Sequence, residues 1–132
     1  MLISKKAIVF SIFLIITGIA AGAVGAHMLK SVLSVAQLQS FEVGVRYQMY
    51  SGIGVLALAA LSQMFSSISN ASLWFILGGT VCFSWSIYCL LALPDGHSLR
   101  GVLGPITPIG GGLMIFGWAW ALVGILRRES VQ

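Results

Sequence analysis

The sequence predicts an all-α membrane protein: a bundle of four transmembrane helices with a short amphipathic extension before the second. Three observations carry that prediction. Of the 132 residues, 58% are hydrophobic and only 8% are charged, whereas a soluble domain needs about 25% charged residues to cover its surface. The mean hydropathy is +1.02, and a bilayer is the solvent in which outward-facing Leu, Ile and Phe carry no penalty. The apolar residues also fall into long runs, centred on 7–26, 45–65, 73–93 and 107–126, with the polar residues gathered in and beside the breaks. A chain of this length is expected to form one domain, 1–132.

The first run, 7–26, is long enough to cross a bilayer at about 1.5 Å per residue. Its Lys5-Lys6 start and Ala-Gly-Ala end resemble a secretory signal, but its length argues for a retained helix. Gly18, Gly22 and Gly25, with Ala21 and Ala26 beside them, give one face almost no side chain. A neighbouring backbone can approach such a face closely.

Ser34 followed by Gln37 matches a capping box, so the next helix starts near Val35. No Pro interrupts it before Phe65. A helix of that extent is about 46 Å long, against about 30 Å of hydrocarbon. The front part, 35–44, is therefore expected at the interface, with Val35, Leu38, Phe41 and Val45 forming one apolar stripe. The spanning part is 45–65.

Residues 66–72 form an uncharged polar turn. The third span is stopped by Pro94-Asp95-Gly96, where Pro restricts φ and Gly permits left-handed values. Pro105 and Pro108 are read as bracketing the start of the fourth span, because proline is tolerated in a first helical turn. Gly117, Ala121 and Gly124 make a second small-residue packing face. That helix is expected to end before Arg127-Arg128-Glu129.

The net charge of +4 comes without any basic cluster interleaved with aromatics, so a nucleic-acid partner has no support. With four spans, both termini share one side. Lys5, Lys6, Arg127 and Arg128 lie on that side, against Lys30, Arg46 and Arg100 on the other. The positive-inside rule then favours cytoplasmic termini in a bacterial inner membrane. Cys82 and Cys89 lie about 10 Å apart along one helix, too far for a disulfide, and read as small buried hydrophobes.

The same topology gathers the ionisable residues of the 1–2 and 3–4 connections at one membrane face. The candidate polar cluster is His27, Glu42, Arg46, Tyr47, Gln48, Asp95 and His97. Glu42 and Arg46 stand at i and i+4 in the favourable order. Near hydrocarbon they are expected to neutralise each other; the functional alternative has Arg46 bind an anionic headgroup or a substrate carboxylate. His27 fits a pH-sensitive group, although a helix cap or an interhelical bond is the simpler reading. The His, Asp and Glu spacing matches no metal-ligand pattern. No nucleophile elbow, P-loop or dinucleotide fingerprint is present. No catalytic residue, metal or cofactor is therefore expected, and the chain does not read as an enzyme. Tyr47, Tyr50, Tyr88, Trp85, Trp118 and Trp120 read as interfacial anchors and packing residues.

Several segments in order carry a family resemblance: GAVGAHMLK at 22–30, FEVGVRYQMY at 41–50, Phe83-Ser84 with Ile87-Tyr88, and GPITPIGG at 104–111 with Gly117-Trp118. Together they resemble domain-of-unknown-function family 423, small four-span membrane proteins of bacteria and eukaryotes. The resemblance implies fold and location, and no biochemical activity. The chain departs from the family's pattern at Ser51, where the family often carries His after the YQ-x-Y segment.

The leading functional expectation is an accessory or scaffolding subunit, making lateral helix contacts with itself or with partner subunits in the lipid bilayer. The alternative is transport or permeation of a small solute or proton, or lipid binding.

Overall fold

A computed structural model describes residues 3–64 and 67–129. Among these, every regular element is helical. Helix α1 runs Lys5–His27 and α2 runs Val35–Leu61, with a 3-10 turn at Leu29–Ser31 between them. The next rod joins α3 (Asn70–Thr80), a π-helical turn (Val81–Trp85) and α4 (Ser86–Ala92). Helix α5 is Arg100–Glu129. The expected helix end at Phe65 and turn start at Ser66 lie outside the described residues.

Three of these rods are long and apolar enough to cross a membrane: Lys5–His27, Asn70–Ala92 and Arg100–Arg127. Helix α2, at 27 residues, is about 40 Å long and exceeds the hydrocarbon core. Polarity rather than length sets it apart, since it carries Gln37, Gln39, Glu42, Arg46 and Gln48.

Local chemistry places the ends. Ser34 N donates to Gln37 Oε1 at 2.9 Å, and Gln37 N donates to Ser34 Oγ at 3.3 Å. This reciprocal box starts α2 at Val35. Ser69 Oγ accepts from Ala71 N at the start of α3. Gly96 has φ +83°, and His97 N donates to Pro94 O at 3.3 Å. That is a turn with a left-handed third position, which glycine occupies without strain.

The start of α5 differs from the expectation. The helix begins at Arg100 and contains Pro105 and Pro108. Each proline removes one backbone donor early in a long helix, and both rings are exposed. Arg100 secures the start. Its Nη1 donates to Leu90 O and Leu93 O, both at 2.8 Å, and its Nη2 lies 3.5 Å from Asp95 Oδ1. The guanidinium thereby takes up carbonyls left open at the end of α4.

The principal pairings are α1 with α2 and α3 with α5. Glycines let them close. A Cβ on Gly18 would lie 2.7 Å from Met49 Sδ, and one on Gly25 would lie 2.7 Å from the Phe41 ring. Gly22 faces Val45 at 3.6 Å. Backbone meets backbone between α5 and the α3 rod. A Cβ on Gly110 would collide with Phe83 N, and one on Gly117 would stand 2.8 Å from Ser72 O. Gly124 approaches Ser67 O in the same way, and Ala121 is buried between them. Lipid tails are as apolar as Leu, so this association rests on close packing and interhelical hydrogen bonds.

The interior has two storeys. Leu14, Val55, Leu58, Leu73, Ile76 and Ala121 form a dry apolar core. They lie toward the end that holds the start of α1 and the α2–α3 connection. The other storey, around Gln48 and the π turn, is built from polar side chains.

Candidate functional site

Gln48 is the hub of the polar storey and is 1% exposed. Its Nε2 donates to Leu14 O at 2.9 Å and to Thr17 Oγ1 at 2.8 Å, both on α1. Its Oε1 accepts from Tyr88 Oη on α4 at 2.9 Å. Thr17 Oγ1 in turn donates a hydrogen bond to Phe13 O at 2.8 Å. One amide thus ties three helices, with both of its donor hydrogens used.

The π turn extends this seam. Ser84 Oγ donates to Gly44 O on α2 at 2.7 Å. Ser86 Oγ donates to Phe83 O at 2.9 Å and lies 2.7 Å from Thr107 Oγ1 on α5. A π turn holds an extra residue, so it offsets the faces before and after it. Ser84 meets α2 while Ser86, two residues on, meets α5. Next to them, Ser51 Oγ donates to Met114 Sδ at 3.5 Å. Thr80 Oγ1 lies 3.3 Å from the same sulfur and donates to Ile76 O at 2.7 Å.

A groove of about 620 Å³ opens beside the seam, between α2 and α5. Tyr47, Tyr50, Phe83 and Trp118 wall it, and Ser51 and Met114 form its floor. Tyr47 stands edge-on to Phe83 with centroids 5.2 Å apart. Ser51 is 3% exposed. Its hydroxyl is a polar point at the base of a cleft walled mainly by aromatic rings.

The residues proposed from sequence as one polar cluster occupy separate places. Gln48 is in the core, and Tyr47 is on the groove wall. His27, Glu42 and Arg46 are exposed near the α1–α2 end. Asp95 and His97 sit in the α4–α5 loop, where Asp95 meets Arg100 and His97 Nδ1 accepts from Leu99 N at 3.2 Å. The expected Glu42–Arg46 pair is absent: Asp95–Arg100 is the one ion pair among the described residues. Both Glu42 and Arg46 are exposed, and their side chains do not meet. Among the described residues, no three His, Cys, Asp or Glu side chains converge as metal ligands.

Thr17, Tyr88, Ser84, Met114 and Arg100 were not singled out from sequence as site residues. The available signal was Thr80, Ser84 and Tyr88 at i, i+4 and i+8, a polar stripe inside an apolar run.

Apolar rods joined by glycine contacts and an internal amide–hydroxyl seam define a small α-helical membrane protein. Comparison with known proteins agrees. The family described as "Protein of unknown function (DUF423)" matches residues 21–111, and the chain belongs to that family. It is 40% identical to a UPF0382 membrane protein of Staphylococcus saprophyticus, over 83% of this chain and 87% of the relative. It is 39% identical to a UPF0382 membrane protein of Schizosaccharomyces pombe, over 77% and 86%. The UPF0382 inner membrane protein YgdD of Escherichia coli is 34% identical, over 89% of each chain. No solved structure matches.

Proposed function

We propose that this protein is a four-span subunit that works through lateral helix contacts, as an accessory or scaffolding component of a membrane assembly and not as an enzyme. The observation that carries this reading is the α2–α5 groove. It is wide, walled by aromatic rings and open at the side of the bundle. An apolar helix of a neighbouring subunit, or of a second copy, matches its chemistry. Close packing against rings supplies association energy where the hydrophobic effect does not. The polar groups of the spans are meanwhile engaged in holding the bundle together.

On this reading α2 is the fourth span. Its inward residues Gln48, Ser51, Val55 and Leu58 are buried, which supports a place inside the bundle. Both termini then face the cytoplasm of a bacterial inner membrane, as the basic residues at both ends favour. The groove is tested by placing a photo-crosslinking residue at Ile115, on its lining, in native membranes. A discrete adduct, identified by mass as this chain or one defined partner, is expected from Ile115 and not from His97. A monomer with no adduct at Ile115 sinks the proposal.

Small-solute or proton passage is the second reading, favoured by the run of hydroxyls from Thr80 to Thr107. Thr80, Ser84, Ser86 and Thr107 are each hydrogen-bonded, which argues for a sealed seam. Liposome flux that is unchanged by Ser86→Ala, by Arg46→Ala and by Glu42→Ala would remove it.

A further inference from the structure

A second groove lies at the α1–α2 end, away from the aromatic cleft. It holds about 230 Å³ and is lined by Gly22, Gly25, Lys30, Phe41, Glu42 and Arg46, among others. Its charges are two cations and one carboxylate, and none of the three is paired with another. Its α1 wall is nearly bare of side chains: Gly22 and Gly25 lie against Val45 and Phe41 of α2. The apolar residues around Lys30 face outward, with Met28 66%, Val32 76% and Val35 77% exposed. Exposed apolar residues alternating with a lysine mark a segment that lies at the membrane interface, with aliphatic parts in the lipid and charges at headgroup level.

We infer that this groove is a binding site for the amine-bearing headgroup of a glycerophospholipid. The lipid phosphate binds Arg46 and Lys30, and the headgroup ammonium binds Glu42. Size permits it, because a space of about 230 Å³ is larger than a phosphate group and leaves room for a two-carbon amine arm. Charge agrees in both sign and arrangement. Arg presents a planar fork that matches phosphate oxygens and stays charged at any physiological pH. Glu42 and the carbonyl end of α1 both favour a cation beside the phosphate. A purely anionic headgroup would meet the cations and would also meet an uncompensated carboxylate. The inference does not depend on the subunit reading above.

The test uses the full-length protein in mild detergent, with occupancy read by native mass spectrometry. Dioleoyl phosphatidylethanolamine and dioleoyl phosphatidylglycerol are offered at equal concentration. The expected result is retention of the amine lipid about fivefold over the glycerol lipid. Arg46→Ala lowers its occupancy about tenfold, as loss of a charged hydrogen-bonded contact does. Glu42→Gln raises phosphatidylglycerol to parity. Arg127→Ala, outside the groove, leaves both unchanged. Circular dichroism confirms equal helix content in each variant. Equal retention of the two lipids by the unmodified protein overturns the proposal. So does an Arg127→Ala loss as large as that of Arg46→Ala, which would indicate bulk charge only. Displacement of the lipid by free O-phosphoethanolamine or inorganic phosphate at the same concentration overturns the lipid as occupant.

Discussion

Replacing Gln48 by Leu removes the hub of the seam with little change of volume. Three interhelical hydrogen bonds are lost, to Leu14 O, to Thr17 Oγ1 and from Tyr88 Oη. Interhelical bonds in bilayers contribute about 0.6 kcal/mol each on average. The substitution also strands the Tyr88 hydroxyl among apolar atoms, which costs about 1 kcal/mol more. The expected destabilisation is about 3 kcal/mol. Tyr88→Phe alone removes one bond and costs about 1 kcal/mol. Added to Gln48→Leu, however, Tyr88→Phe eliminates the stranded hydroxyl and recovers about 1 kcal/mol. Unfolding in mixed micelles, titrated with dodecyl sulfate and followed by far-ultraviolet circular dichroism, measures all three variants. A Gln48→Leu effect below about 0.5 kcal/mol would refute the hub. A double variant weaker than Gln48→Leu alone would refute the account of Tyr88.

Four further outcomes follow from the glycine packing and from the Arg100 anchor. Gly110→Ala forces a methyl against Phe83 N and Gly79 O and is expected to cost about 3 kcal/mol or more in the same titration. Gly112→Ala, with nothing within 4 Å of its added carbon, is expected to be neutral or stabilising by up to about 1 kcal/mol. Arg100→Ala should cost about 2 kcal/mol and raise amide exchange at the α4–α5 loop, because Leu90 O and Leu93 O lose their charged donor. Arg100→Lys should recover only part of that loss, since an ammonium lacks the fork that reaches two carbonyls and Asp95 together.

Helices and their capping were legible where chemistry is local. Ser34 and Gln37 announce the start of α2 three residues apart, and Pro94-Asp95-Gly96 announces the turn. Hydrophobic content announces the membrane. The start of α5 was not legible, because what secures it is Arg100 reaching seven and ten residues back, to Leu93 and Leu90. Proline's usual place in a first turn then pointed to a later start. The seam was hidden for a related reason. Gln48 stood out as a polar residue in a span, but its partners Thr17 and Tyr88 lie 31 and 40 positions away. The π turn has no signature in VCFSW. Glu42 and Arg46 satisfied the local rule for a helical pair. That rule says nothing of a groove whose other cation, Lys30, comes from the preceding connection.

The way these contacts are distributed along the chain bears on biogenesis. The closest pairings, α1 with α2 and α3 with α5, join neighbours in the chain. The bonds from Tyr88 to Gln48 and from Ser84 to Gly44 join one of these hairpins to the other. On the proposed four-span reading, each hairpin enters the bilayer as a unit, and the second step is a docking set in register by these hydrogen bonds. Water that reaches the Tyr88–Gln48 and Ser84–Gly44 bonds competes for them directly, so the line between the hairpins is where a harsh detergent acts on their polar contacts.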